Sequence, residues 1–555
     1  MKQKKALVIC TTVLVETSPQ ALPLGAACVA SAIKQKCNQI VDVELQSFSS
    51  EDKNIVGLNN QKAGEVLARI LAKNNPQIVA FSVYVWNRFI LIETAKFLRS
   101  LIPNITLLVG GTEVTANPKS FLVDDIFDYI TCGEGEETTS TLISEILEKK
   151  APKDKIIYSK PCNLETINSP YLDGTLDAKE YGGALWELAR GCPFRCSFCY
   201  ESKGEKKVRY FSKQRLLEEL RFFVESGIDQ VFVLDPTYNV DKNRALEILR
   251  TIEKKAPDIF FHFECRPEFI DQKLARAFAN ISCSLQIGLQ SSNEKVLKLV
   301  NRPFNKKEFV KNIGLLNETG AVFGFDIIYG LPGETLETFK QTVNFALELY
   351  PNHVEIFQLS VLPGTDLFDQ AKQMQINHLK EAPYHVLNTP TFSAKDIEKA
   401  KQLSFACSVL YTQGRAVPWF LALIKPLQKK PVVIFEEFLK FLIFKGYKTV
   451  NPCKIPFKQI VELQKDFIKE QYTVKKVKHL LRFAFDIIDL NAAVSQYIAD
   501  GTESRVELNY HPDDLLSPYS QDPKYFVQHA EKFPCTVEIS RQVEESTGEL
   551  YNIIY

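Results

Sequence analysis

The sequence carries no net charge and no long hydrophobic run. Lys plus Arg and Asp plus Glu number 67 each. This balance provides no general attraction for nucleic acid, so we expect no nucleic-acid partner. No apolar run approaches the roughly 18–20 residues that span a bilayer. The N-terminus, which begins MKQKK, lacks a signal-peptide cleavage site. We therefore expect a cytoplasmic protein without a membrane segment.

Histidine is also scarce, and closely spaced cysteines occur at only one point in the sequence. The first of the seven histidines is His262, so the first 261 residues offer no imidazole ligand. The 13 cysteines are an odd number and are scattered, apart from one dense group. In a cytosolic chain this pattern argues against a disulfide framework and favours a metal or redox cluster at the dense point.

The chain is too long for a single core, and its pattern divides it into parts. Residues 1–150 alternate five short apolar strands with amphipathic helices, which indicates a parallel sheet covered on both faces. We predict a Rossmann-like, doubly wound α/β domain here. Residues 151–181 contain three prolines and little periodicity, and we predict a linker.

A second series of strands and helices follows in residues 182–392. Its six repeats predict a partial (β/α)6 barrel of the TIM type, in which an active site collects at the carboxyl ends of the strands. Residues 393–555 change character again. They predict a mainly helical region that ends in a small β-containing tail.

The stretch ARGCPFRCSFCY follows the first strand of the predicted barrel and contains Cys192, Cys196 and Cys199. A cubane cluster of four irons is normally held by four thiolates. Three thiolates leave one iron with an open position, by the logic that separates catalytic from structural zinc sites. We predict a [4Fe–4S] cluster with a reactive iron. The alternatives are a zinc site completed by a distant cysteine or histidine, and three incidental thiols.

The stretch CPFRCSFCY resembles the signature of the radical S-adenosylmethionine (SAM) superfamily, and the resemblance extends over residues 182–367. It implies that the open iron binds SAM, and that reduction cleaves SAM to a 5'-deoxyadenosyl radical. It also implies an external electron donor such as flavodoxin or ferredoxin. The SAM-binding residues it implies are Tyr200, Asp235, Glu264, Arg266, Gln290, Ser291 and Asp326.

The first domain resembles the cobalamin-binding domain of one branch of that superfamily, in the stretches PLGAACVASAI, LLVGGTEVTANP and ITCGEGEET. The resemblance implies cobalamin without a histidine lower ligand from this domain, because no histidine precedes His262. A degenerate domain that binds no corrin is the alternative. The cofactor-binding residues it implies are Leu24, Gly25, Tyr84, Trp86, Asn87, Gly110, Gly111, Gly133, Glu134 and Gly135.

These expectations combine into a cobalamin-dependent radical SAM methyltransferase that acts on an unactivated carbon of a small molecule or peptide. One alternative is a radical SAM cyclisation or rearrangement, with or without cobalamin. Another is a methylthiotransferase, whose second cluster would need Cys10, Cys37 and Cys132. A noncatalytic Fe–S electron carrier or sensor is the last.

The stretch NYHPDDLL in the C-terminal region places His511 beside Asp513 and Asp514. These residues are a possible site, but we favour the start of a surface helix.

Overall fold

The computed structural model describes residues 5–203, 207–447, 451–547 and 550–554. Its first sheet has six parallel strands in the order β2-β1-β3-β4-β5-β6. The strands are β1 (Ala6–Leu14), β2 (Val41–Ser49), β3 (Ile78–Ser82), β4 (Thr106–Gly110), β5 (Tyr129–Cys132) and β6 (Ile156–Tyr158). The helices are α1 (Leu24–Cys37), α2 (Asn60–Ala72), α3 (Arg88–Leu101), α4 (Thr112–Ala116) and α5 (Gly135–Leu147).

Apolar side chains cover both faces of this sheet. Along β1, Ile9 packs into one buried cluster, while Val8 and Cys10 pack into another on the opposite face. The strand order reverses between β1 and β3, where a doubly wound sheet opens a crevice. The α/β architecture is as predicted, with one difference. Strand β6 pairs with β5, so this part of the predicted linker is the edge strand of the first sheet.

The second sheet is the predicted partial barrel, with six parallel strands in the order β14-β13-β12-β11-β10-β7. A short antiparallel pair, β8 with β9, flanks the cysteine loop. The strands are β7 (Gly183–Trp186), β8 (Ala189–Arg190), β9 (Arg209–Tyr210), β10 (Gln230–Val233), β11 (Phe260–Cys265), β12 (Cys283–Gln290), β13 (Phe323–Tyr329) and β14 (His353–Gln358). The helices are α6 (Lys213–Ser226), α7 (Lys242–Lys255), α8 (Gln272–Ala279), α9 (Glu294–Leu299), α10 (Lys306–Thr319), α11 (Leu336–Leu347) and α12 (Asp366–Gln370).

The C-terminal region is mainly helical and shares one apolar core with the barrel. A hairpin of β15 (Asn377–His378) and β16 (Val386–Asn388) precedes it, and a three-stranded antiparallel sheet forms its tail. The helices are α13 (Ala394–Cys407), α14 (Phe420–Ile424), α15 (Pro431–Phe444), α16 (Phe457–Val474), α17 (Leu481–Asp500), α18 (Pro512–Leu516), α19 (Pro523–His529) and α20 (Arg541–Thr547). The tail strands are β17 (Ser504–Leu508), β18 (Cys535–Ile539) and β19 (Asn552–Ile554). Among the described residues, no helix is long and apolar enough to cross a membrane.

Strand β14 is an edge of the barrel sheet, and side chains of the C-terminal region satisfy its backbone. The Thr412 hydroxyl accepts from the Val354 N–H (3.1 Å) and donates to the Val354 carbonyl (3.0 Å). Ser404 donates to the Ile356 carbonyl (3.1 Å). An edge strand left open would expose backbone groups that invite pairing with another chain. The C-terminal region therefore closes the side of the partial barrel.

Candidate active site

The cysteine loop sits at the carboxyl end of the barrel strands and is held from both sides. The Ser197 N–H donates to the Val300 carbonyl (3.0 Å), and the Ser197 carbonyl accepts from the Leu367 N–H (2.8 Å). The Asn301 side chain donates to the Arg195 carbonyl (2.7 Å). These anchors fix the loop against two later segments of the barrel.

The thiols of this loop suit the predicted cluster. Cys196 is buried, whereas Cys192 and Cys199 are partly exposed. Burial raises the pKa of the Cys192 thiol, so a thiolate there needs a cation to stabilise it. Three soft sulfur donors within one loop are the ligand set that iron–sulfur clusters take. The residues present therefore fit the group.

Arg302 contacts the cysteine loop, and nothing in the sequence motifs predicted this contact. Its Nη1 donates to the Cys196 Sγ at 3.7 Å, and its Nη2 donates to the Gly288 carbonyl on β12. It brings a cation between the loop and the barrel lumen. Burial lowers the pKa of this guanidinium. Its local sequence carries little signal of this contact, because Arg302 lies 106 residues after Cys196 in a turn without a motif of its own.

Asp235 and Arg266, both predicted to bind SAM, lie behind the cysteine loop. The Asp235 carboxylate accepts from the backbone N–H groups of Leu188 and Ala189, each at 2.9 Å. Burial raises the pKa of Asp235 to about 7. The Arg266 guanidinium stacks 3.7 Å from the centre of the Phe194 ring. Both side chains thus support the segments that carry the cysteines.

Glu264 and Asp326, two further predicted SAM contacts, line the lumen of the barrel. Glu264 is open to the lumen but lies deep between the barrel walls, and this desolvation raises its pKa to about 7, with a smaller contribution from Asp326. The Gln286 side chain donates to Asp326, and the pKa of Asp326 is raised by burial to about 6. Gln286 also lies 2.7 Å from the Nε2 of His353. The lumen is consequently polar and rich in carboxyl groups.

The remaining predicted SAM contacts occupy the rim of the barrel. Gln290 ends β12 with a φ of 64°, and its Oε1 is buried without a partner in the described part of the chain. Ser291 is fully buried against Thr342, at 3.3 Å between the hydroxyls. Tyr200 follows the loop directly, and burial raises its pKa to about 12. Gln290 is thus the rim residue with an unsatisfied polar atom.

The predicted aromatic contacts of the first domain lie in the turn after β3. Trp86 is 54% exposed, stacks on Tyr84 at 4.7 Å, and donates from its Nε1 to the Val13 carbonyl (3.1 Å). Asn87 is 1% exposed, and its amide donates to the Val13 carbonyl (2.9 Å) and the Thr12 hydroxyl (3.0 Å). Asn87 therefore holds the turn, while Trp86 presents a free ring face.

The predicted glycines gather at the same carboxyl edge of the first sheet. Gly111 has a φ of 109°, and a Cβ there would lie 2.5 Å from the Val83 carbonyl oxygen. Gly133 has a φ of 92°. No side chain fits these positions without strain. The other predicted positions at this edge are Leu24 and Gly25 at the start of α1, Gly110 at the end of β4, and Gly135 at the start of α5.

Glu134, also predicted as a cofactor contact, joins an ion-pair network between the first domain and the barrel. Arg190, two residues before Cys192, pairs with Glu134 (3.1 Å), Glu136 (2.6 Å) and Glu187 (2.9 Å). Arg209 pairs with Glu134 as well. The network ties the start of α5 to the strand that leads into the cysteine loop.

The groups around His511 and around Cys10, Cys37 and Cys132 do not form the sites that were considered for them from the sequence. The Nδ1 of His511 accepts from the Asp513 N–H (3.3 Å), so the residue caps the start of α18, as favoured. Cys10 and Cys37 lie in the apolar cluster on one face of the first sheet, and Cys132 lies in the cluster on the other. These three thiols cannot form the second cluster that a methylthiotransferase would need.

Comparison with protein families gives two matches. Residues 186–346 match the family model of the radical SAM superfamily, and residues 11–143 match that of the B12 binding domain. The first match contains the cysteine loop, and the second contains the glycine-bearing edge of the first sheet.

Several relatives are methyltransferases by name. The chain is 24% identical over 372 residues to the uncharacterized methyltransferase PH0819 of Pyrococcus horikoshii, over 63% of this chain and 78% of that protein. It is 28% identical over 336 residues to the cobalamin-dependent radical SAM methyltransferase TokK of Streptomyces tokunonensis. That match covers 53% of this chain and 48% of TokK, so the chain spans about half of the length of this relative.

The fold also matches a solved structure. The cobalamin-dependent S-adenosylmethionine radical enzyme OxsB, with aqua-cobalamin bound, superposes with a TM-score of 0.58 at 16% identity. The superposition covers 95% of this chain and 85% of OxsB. It therefore extends through the C-terminal region.

Proposed function

The chain belongs to the branch of the radical SAM superfamily that carries a B12-binding domain, and from this premise we propose that it transfers a methyl group to an unactivated carbon of its substrate. The radical SAM domain implies a [4Fe–4S] cluster and SAM, and the B12-binding domain implies cobalamin. The relatives named as methyltransferases support methyl transfer as the reaction.

The observation that carries the proposal is the position of the two domains. The glycine-bearing edge of the first sheet and the cysteine loop meet through the pairs of Arg190 with Glu134 and Glu136. Gly364 adds a second meeting point, since a Cβ there would lie 3.2 Å from the Tyr200 ring and 3.3 Å from the Ala116 Cα. Both cofactor sites thus open toward one region.

Each part of the site would hold one component. Cys192, Cys196 and Cys199 would hold the cluster, and the Arg302 guanidinium suits a carboxylate bound beside it. The ring face of Trp86 would pack against the corrin. When bound, the cluster supplies the electron that cleaves SAM, and the cobalamin carries the methyl group.

Four of the residues predicted to bind SAM lie at the lumen or its rim, namely Tyr200, Glu264, Gln290 and Asp326. We propose that these residues contact SAM. The protein encloses the reacting groups, because positioning within contact distance limits side reactions. Asp235, Arg266 and Ser291 act through the segments they support.

An external one-electron donor and a cytoplasmic location belong to the same proposal. An acidic carrier such as flavodoxin or ferredoxin would reduce the cluster. Reduced thiols are required to hold it, and the cytosol keeps cysteines reduced. Methylthio transfer is not favoured, because Cys10, Cys37 and Cys132 lie on opposite faces of a sheet.

The test is anaerobic purification from a cobalamin-replete host, followed by incubation with SAM whose methyl group is deuterated. We expect bound corrin and cluster by absorption spectroscopy, 5'-deoxyadenosine after reduction, and the label on the cobalamin methyl group. Protein that carries a cluster but takes up no corrin would refute methyl transfer. A reconstituted cluster that never cleaves SAM would refute the enzyme itself.

A further inference from the structure

We propose that the outer face of α9, formed by Lys295, Lys298 and Leu299, is the surface where an acidic one-electron carrier docks to reduce the cluster. The inference rests on the proposed function, because only a protein that holds the cluster needs this partner. It adds the place on the molecule where the electron enters.

The turn that ends α9 is in direct contact with the cysteine loop. The Val300 carbonyl accepts from the Ser197 N–H (3.0 Å), and Arg302 reaches the Cys196 Sγ (3.7 Å). Little more than this turn separates the α9 face from the buried Cys196 thiol. On its other side, the loop faces the barrel lumen and the first domain. Because electron tunnelling falls steeply with distance, a carrier seated on α9 has a short path.

The α9 face carries positive charge on a chain that is neutral as a whole. Residues 294–311 contain six basic and two acidic residues. Lys295 and Lys298 are exposed, and neither has an ion-pair partner in the described part of the chain. The exposed Glu294 offsets only one of these charges. A cluster of unpaired cations attracts an acidic protein and speeds its approach.

An apolar centre lies among these charges. Leu299 is 48% exposed. On the other side of the cysteine loop, Phe368 is 36% exposed, next to Leu367, which donates its N–H to the Ser197 carbonyl (2.8 Å). Asp366 and Asp369 on α12 already interact within the protein. A small apolar centre with a charged rim is the composition of a transient protein interface.

The experiment compares the wild type with a Lys295→Glu/Lys298→Glu double variant, both with a reconstituted cluster. Stopped-flow absorption follows cluster reduction by reduced flavodoxin at low ionic strength. We expect the second-order rate constant to fall about tenfold or more in the variant, since electrostatic steering changes association rates by about 10–10³-fold. At high salt the difference should shrink. Reduction by the small methyl viologen radical cation bypasses docking and should stay within about twofold of the wild type.

A matched control reverses two exposed lysines on α16, Lys458 and Lys469, with the same change in net charge. This variant should react with flavodoxin at close to the wild-type rate. An equal loss in the control, or an unchanged rate in the α9 variant, overturns the inference. SAM cleavage with methyl viologen reports on the proposed function separately, so the failure of one is distinguishable from the failure of the other.

Discussion

At the scale of single residues, the site depends on charges that are buried together. Arg190 serves three carboxylates and lies two residues from Cys192. Its side chain is 13% exposed and that of Glu136 is 6% exposed, so the pair is shielded from solvent. Removing one partner of such a network leaves the remaining charges desolvated. The arginine is thus both a structural anchor and part of the entry to the cysteine loop.

We expect the Arg190→Gln variant to lose about 3 kcal/mol of its free energy of unfolding, because Glu136 and Glu187 would lose the guanidinium that pairs with them, while Glu134 would keep Arg209. Urea titration followed by circular dichroism measures the loss. As a control, Arg69→Gln breaks an exposed pair with Glu65 on one helix and should cost less than about 0.5 kcal/mol. Similar small losses in both variants would show that the Arg190 network contributes no net stability.

Glu334 predicts a dependence of stability on pH. It is fully buried, it accepts from the Gly330 N–H (2.9 Å), and burial raises its pKa to about 8. The folded state keeps the Glu334 proton up to a pH near 8, whereas the unfolded state releases it above the ordinary pKa of a glutamate. The free energy of unfolding therefore falls as the pH rises, by about 2 kcal/mol between pH 6 and 8.

The Glu334→Gln variant should lose this component of the pH dependence, since its side chain does not titrate. Thermal unfolding from pH 5 to 9 checks the expectation against Glu337→Gln, which changes an exposed carboxyl in the first turn of the following helix, α11. If the Glu334 variant keeps the wild-type pH profile, Glu334 is not the titrating group.

At the scale of secondary structure, the C-terminal region closes the barrel through a local change in helix geometry. Residues Ser408–Thr412 form a π-helical turn directly after α13. The amide of the buried Gln464 donates to the carbonyls of Leu410 (2.9 Å) and Gly414 (2.8 Å), which satisfies carbonyls in and beside this turn. Such turns often occur at functional positions. Here the turn ends at Thr412, whose hydroxyl faces β14.

Replacing Thr412 by valine should lower the free energy of unfolding by about 1–3 kcal/mol, because the backbone groups of the buried Val354 would lose their partner. The Val354 amide should also exchange with solvent faster, as measured by hydrogen–deuterium exchange. Thr473→Val removes an exposed hydroxyl that bonds only to its own helix, and it should leave Val354 unchanged. Equal exchange in wild type and the Thr412 variant would contradict this account of the edge.

At the scale of the whole molecule, the first domain builds apolar clusters of its own. Two clusters cover the two faces of the first sheet, while the barrel and the C-terminal region share a third. Leu22 and Ala27 of the first domain also pack into the third cluster. Polar contacts add to this junction, including the Arg190 network and the bond from the Tyr384 hydroxyl to Glu113. The first domain therefore has two clusters of its own and an apolar contact with the barrel.

We expect the Cys196→Ala variant to lose its cluster yet still take up corrin, because the first domain keeps both of its apolar clusters. Iron should fall from about four per chain to near zero, while corrin absorption stays near the wild-type level. The exposed Cys453 supplies the control, since Cys453→Ala should retain both cofactors. Loss of corrin together with iron would mean that the domains bind their cofactors as one unit.

The sequence alone determined the order of the three parts and the position of the cysteine loop. Cys192, Cys196 and Cys199 lie within eight residues, so their spacing limits where the thiols can be. The rhythm of strands and helices reflects local periodicity, and it also placed the glycines at one edge of the first sheet. Asn87 shows the limit of local sequence, since its type suits both a cofactor contact and the buried anchor of the turn that it forms.

Only the tertiary structure decided which distant side chains meet. Arg302 meets Cys196 across 106 residues, and Arg190 meets Glu136 across 54. Thr412 reaches Val354 across 58. A charge or a hydroxyl carries no sign of its partner in its local sequence, because the pairing depends on how separate elements pack. For this reason the cysteine loop could be identified from the sequence, while the groups that position it could not.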